Sequence, residues 1–146
     1  MGKREAMSRL PVRIKPRRVK HCYVGAPAIF KLEMACQKLD EAFPDSFGCY
    51  LVGSCLERPD FRDVDVRMMM KDEDFAREFP DCHSLDGHWE HDPKWLVMTV
   101  AIGGWLREQT GLPIDFQFQP QTFANKHHGG VRHAIGLRYV SRRKQG

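Results

Sequence analysis

No apolar run in this chain approaches the roughly 18 residues that crossing a membrane requires. Its basic N-terminus is not followed by an apolar stretch of the kind that marks a secretory signal. No Cys-x-x-Cys pair occurs. The five cysteines, Cys22, Cys36, Cys49, Cys55 and Cys82, are an odd number, which argues against a disulfide framework and for reduced thiols in a cytoplasmic setting. There is no internal repeat and no low-complexity tract. Acidic residues are absent from residues 126–146, which carry six Lys or Arg. They are scarce in residues 1–20, where Glu5 stands against eight bases. The intervening stretch compensates with eighteen acids against nine bases, so a net +4 conceals basic ends around an acidic middle. Such segregation suits a polyanionic substrate with bound cations; solvated tails are the plainer account of the ends taken alone.

What is present is an ordinary globular composition, 42% hydrophobic and 29% charged over 146 residues. That size points to one domain able to bury a core without disulfide or metal staples. The organisation expected is a basic extended arm over 1–20, a core over 21–120, and a basic loop and tail over 121–146. Between Pro27 and Phe43 the residues Ile29, Leu32, Cys36, Leu39 and Phe43 recur every three or four, which predicts an amphipathic helix. Residues 48–52 read as a buried strand running into Gly53-Ser54. Residues 63–70 alternate, with Asp63, Asp65 and Arg67 on one face and Val64, Val66, Met68 and Met70 on the other. Lys71 to Phe79 reads as a short helix, started by Asp72 and stopped by Pro80. Asp92-Pro93 is a strong helix start; Trp95, Met98, Ile102 and Trp105 are expected on its buried face, and Gly111 at its end. The Gly103-Gly104 pair admits close packing or a bend. Residues 112–118 alternate again, with Asp115 and Gln117 opposite Ile114, Phe116 and Phe118. Residues 121–136 read as a loop. The element order predicts an α+β fold, a small mixed β-sheet packed against helices.

Two carboxylates at i and i+2 on a strand share a face, with side-chain origins about 7 Å apart. Asp63 and Asp65 are so placed, and Asp115 offers a third acid from a later strand of the same alternation. Oxygen ligands of this kind suit Mg²⁺ or Mn²⁺. By itself an Asp-x-Asp is better explained by an exposed polar strand face. The preceding Gly53-Ser54 adds a turn whose N–H groups can hold phosphate oxygens.

Gly53-Ser54, then Asp63-Val64-Asp65-Val66, then Ile114-Asp115-Phe116 resembles the signature of the nucleotidyltransferase superfamily, over about residues 27–118. The resemblance implies a nucleotidyltransferase-like fold and the transfer of a nucleoside monophosphate from a nucleoside triphosphate to a hydroxyl acceptor. Carried over, Gly53 and Ser54 hold the triphosphate, Asp63 and Asp65 ligate two metal ions, and Asp115 ligates the catalytic one and helps activate the acceptor. Where many members carry a further glycine this chain has Glu57-Arg58-Pro59, and Arg58 or Arg62 is expected to supply phosphate contacts instead. Only 31 residues follow Asp115, so recognition of the acceptor, whether RNA end, protein or small molecule, is expected from the tail, the arm or a partner.

Two further clusters stand out. Cys82, His83, His88 and His91 are zinc-ligand types, but their spacing matches no familiar zinc pattern, and a surface loop is the favoured reading. Asn125, Lys126, His127, His128, Arg132, His133 and Arg138 form a cationic segment suited to base, ribose or phosphate, or equally to plain solvation. Trp95, Trp105, Phe116 and Phe118 fall at core periodicity and are read as packing. Two alternatives to transfer remain open. One is a catalytically silent module of the same fold, binding nucleic acid or a partner protein through its basic ends. The other is a metal-dependent phosphodiesterase or nuclease using the same carboxylates.

Overall fold

The computed structural model describes residues 22–136; the expected arm over 1–20 and the end of the basic tail lie outside them. Four strands form one mixed sheet in the order β3-β2-β1-β4, with β1 Gly48–Val52, β2 Val64–Met70, β3 Ile114–Pro120 and β4 His133–Ile135. β1 runs antiparallel to both β2 and β4, whereas β2 and β3 are parallel. Among the described residues four α-helices accompany them: α1 Ala28–Ala42, α2 Asp72–Glu78, α3 Pro93–Thr110 and α4 Gln121–His128. The α+β expectation is met. Among the described residues no helix is long and apolar enough to cross a membrane.

The main core lies on one face of the sheet. Val64, Val66, Met68 and Met70 of β2, and Ile114, Phe116 and Phe118 of β3, are buried there with Leu32, Cys36 and Leu39 of α1. The strict alternation read from the sequence therefore sorts the two faces correctly. Phe118 is wholly buried and meets the rings of Phe43, Phe79 and Phe116 at centroid distances of 5.2–5.3 Å. Edge-to-face and tilted arrangements of this kind add to the burial of apolar area.

α3 starts and stops as its sequence dictates. Asp92 Oδ1 accepts the Trp95 N–H at 2.9 Å, Pro93 occupies the first turn, and Gly111 closes the helix at φ +74°. Its buried face differs from expectation. Trp95, Thr99, Gly103, Leu106 and Thr110 are buried, Met98 and Ile102 are half-buried, and Trp105 is 36% exposed. Gly103 is buried toward β3, where a Cβ would stand 3.7 Å from Phe116 Cβ, an ordinary contact distance.

The expected loop over 121–136 is also corrected. It holds α4 and β4, and α4 crosses the opposite face of the sheet, where Ala124 joins Val52 and Met69 in a small second core. Asp72 of α2, read from sequence as a helix cap, is the first residue of α2, and its carboxylate accepts the N–H of Thr122 at 3.0 Å. It therefore satisfies an end of α4 fifty residues away instead of its own helix.

Candidate active site

The two faces of the sheet have different chemistry. Behind β2 is the apolar core; on the opposite face Asp65 and Arg67 project from β2, and Asp115 projects from β3. The parallel register sets Asp65 directly opposite Asp115 and Arg67 opposite Gln117. Neighbouring strands lie about 4.8 Å apart, so the two carboxylates are forced to be neighbours. Asp63 lies just before β2 begins and is exposed.

Arg67 answers the charge that this register concentrates. Arg67 is buried, the residue being 7% exposed. Nη1 donates to the Asp115 carbonyl at 2.6 Å and to the Val66 carbonyl at 3.2 Å. Nη2 stands 3.7 Å from Asp115 Oδ2 and 4.0 Å from Asp65 Oδ1. Its Nε has no hydrogen-bond partner. Burial pushes the Asp65 carboxyl above the ordinary carboxylate range; Arg67 opposes that, and Asp115 and Asp63 add to it.

Gly53 fits against Asp65. It ends β1 at φ +82° and opens a short 3₁₀ turn, Gly53–Leu56. A Cβ on Gly53 would overlap Asp65 Oδ2 and come 3.3 Å from its Cγ. Only a residue without a side chain permits this approach, and the left-handed backbone favours glycine as well. Ser54 is half-buried in the turn, and its carbonyl accepts the N–H groups of Glu57 and Arg58 at 2.9 and 3.0 Å. The turn thus stops at Glu57, in place of a longer helix. Arg58 is exposed and pairs with Asp60 at 3.3 Å; Arg62 is exposed beside Asp63. Beneath the turn, burial first, then Cys22 and Asp65, raises the Cys55 thiol to about 11, which keeps it neutral.

Two of the three carboxylates, Asp63 and Asp115 but not Asp65, border a cavity of about 410 Å³ lined also by Val100, Gly103, Ile114 and Phe116. Asp63 and Asp115 lie at its edge with Arg107. Arg107 donates from Nη1 to the Ile114 carbonyl at 2.9 Å. Thr99, 9% exposed, also lines it, and its hydroxyl has no hydrogen-bond partner.

The structure therefore brings Gly53, Asp65 and Asp115 together, keeps Asp63 and Ser54 close in sequence to them, and leaves Arg58 and Arg62 on the surface. Three carboxylates are a hard-oxygen donor set of the kind Mg²⁺ or Mn²⁺ takes, and the raised Asp65 carboxyl is a site whose charge a cation would relieve. As the side chains stand, no three His, Cys, Asp or Glu residues among those described converge on one point. This holds equally for Cys82, His83, His88 and His91. There the Cys82 thiol faces the Trp89 carbonyl at 3.7 Å, and burial raises it to about 11. The sequence placed Arg67 on the acidic face but gave no sign of its position between two carboxylates. That position depends on the β2–β3 register, which no local pattern encodes. Comparison of the chain with protein-family models, with curated proteins and with solved structures finds no match.

Proposed function

We propose that this protein is a metal-dependent nucleotidyltransferase, moving a nucleoside monophosphate from a nucleoside triphosphate to a hydroxyl acceptor. The observation that carries the proposal is the in-register pair Asp65 and Asp115, with Gly53 backed directly onto Asp65. A sheet face that places two carboxylates side by side, at the mouth of a glycine turn, is arranged to hold cations and phosphate together. Asp65 and Asp115, with Asp63 beside them, would hold Mg²⁺ or Mn²⁺, which supplies charge neutralisation at the phosphates and lowers the pKa of the attacking hydroxyl. Gly53 and Ser54 turn the backbone toward the triphosphate. Arg67 keeps the two carboxylates aligned by holding the β3 backbone at the Asp115 carbonyl. The acceptor enters along the cavity bordered by Asp63 and Asp115, where Thr99 and Arg107 offer polar contacts.

The test is binding of a fluorescent nucleoside triphosphate with and without Mn²⁺. The expected result is metal-dependent binding that Asp65→Asn and Asp115→Asn both abolish. Undiminished binding in both variants would refute the assignment.

One observation favours the silent module instead. Arg67 already sets a fixed positive charge within 4.0 Å of both carboxylates, as a structural ion pair would. A silent module predicts nucleic-acid affinity that falls steeply with salt and is indifferent to Asp65→Asn.

A further inference from the structure

We propose that the groove between α4 and β1, lined by Phe47, Tyr50, Met69, Gln121, Asn125 and Arg132, is a pocket for the base of a purine nucleoside triphosphate, a proposal that rests on the nucleotidyl-transfer reading above. The groove has a volume of about 230 Å³. It shares a sheet face with the carboxylates. Val52 pairs with Asp65 and Tyr50 with Arg67 across the β1–β2 ladder. Asp65, Arg67 and Met69 follow one another at every second residue of β2. At about 3.4 Å per residue, Met69 lies some 13 Å along the strand from Asp65. A nucleotide laid along this row puts its phosphates at the carboxylate end and its base at the α4 end.

The groups along the row change in that order. Arg67 comes first, then Arg132. His128 is near both: burial first, then Arg67, His127 and Arg132, makes it harder to protonate than an ordinary imidazole, so the fixed cations here are the two guanidiniums. Two guanidiniums along one row suit a polyanion. The pocket itself is uncharged apart from Arg132. The Arg132 guanidinium lies 5.4 Å from the centroid of the Tyr50 ring. It donates to Asn125 Oδ1 at 3.1 Å and to the Met69 sulfur at 3.4 Å. A flat ring and a flat guanidinium are the surfaces on which unpaired bases stack. Gln121 and Asn125, exposed on α4, add amides that can pair with the donor and acceptor edge of a purine.

The experiment measures the affinity of ATP, GTP, UTP and inorganic tripolyphosphate in the presence of Mn²⁺. The proteins are the parent, Tyr50→Ala, the surface double variant Gln121→Ala/Asn125→Ala, and Asp65→Asn. The parent is expected to bind ATP or GTP at least about tenfold more tightly than tripolyphosphate, and more tightly than UTP. Both pocket variants should lose that preference and retain tripolyphosphate affinity. The double variant alters exposed side chains only, so its result stands even if Tyr50→Ala fails to fold. Equal affinity of the parent for all four probes, or an unchanged purine preference in the double variant, would overturn the pocket and leave nucleotidyl transfer standing. Tripolyphosphate and ATP bound by Asp65→Asn as by the parent would overturn nucleotidyl transfer itself.

Discussion

Replacing Gly53 by alanine puts a methyl group into the carboxylate of Asp65. Two costs follow. Gly53 has φ +82°, and a side chain in the left-handed region costs about 1–2 kcal/mol. The new Cβ also overlaps Asp65 Oδ2 and stands 3.3 Å from Cγ, so the carboxylate must move by a good part of an ångström. Asp65 has little room, with Arg67 on one side and the β1 turn on the other. The expected loss of stability is about 1–3 kcal/mol, read by urea unfolding. Metal-dependent nucleotide affinity should fall by a comparable amount, on the order of 100-fold or about 2.7 kcal/mol for a displacement near 1 Å. The two costs separate in an Asp65→Ala background, where the overlap is gone and only the backbone strain remains. Gly53→Ala should therefore cost less stability there than in the parent, by more than about 0.5 kcal/mol. An equal cost in both backgrounds, or parental nucleotide affinity in Gly53→Ala, would refute the idea that this glycine exists to let Asp65 approach.

Other regions give independent tests. Asp40 is 3% exposed and accepts the Cys49 N–H at 3.0 Å; burial nevertheless raises its carboxyl from 3.8 to about 6. Because the folded value exceeds the unfolded one, its contribution is full below about pH 4 and is lost as pH rises through 6, a loss of roughly 3 kcal/mol at most. Asp40→Asn keeps the acceptor and removes the charge, so it should raise the urea midpoint at pH 8 and flatten the pH dependence between 4 and 6; parallel profiles for the two proteins would contradict this. Phe118→Ala removes a wholly buried ring and should cost about 3–5 kcal/mol in chemical denaturation. Asp72→Ala takes away the acceptor for the Thr122 N–H; amide exchange should quicken in residues 121–128, with about 1 kcal/mol lost from global stability.

The parts of this molecule that were legible in its sequence are those governed by local periodicity. α1 and α3 announce themselves through apolar spacing and caps, and β2 and β3 through alternation. That alternation also put Asp65 and Asp115 on the polar faces of their strands, where the structure has them. α4 left no such trace. Its sequence, Gln-Thr-Phe-Ala-Asn-Lys-His-His, offers Phe123 and Ala124 as its only apolar positions, and its start is held by Asp72. Tertiary contacts, not propensity, make it a helix. β4 has three residues and follows a Gly-Gly pair. It is fixed from outside, where Gly136 at φ +81° packs onto Cys36 and Gln37 of α1 and donates to Glu33 at 2.9 Å. The candidate site divides the same way. The acids were visible as a pattern, whereas the contact of Gly53 with Asp65, the placement of Arg67 and the meeting of Tyr50 with Arg132 join residues distant in the chain.

The central claim is most directly tested by incubating the protein with each α-³²P-labelled nucleoside triphosphate, Mg²⁺ and a cell extract, then following the label. Nucleotidyl transfer predicts label joined covalently to a protein, RNA or small molecule, pyrophosphate released, and neither product with Asp65→Asn or Asp115→Asn. Absence of labelled product with all four triphosphates under both Mg²⁺ and Mn²⁺, or labelling that survives both substitutions, would contradict it.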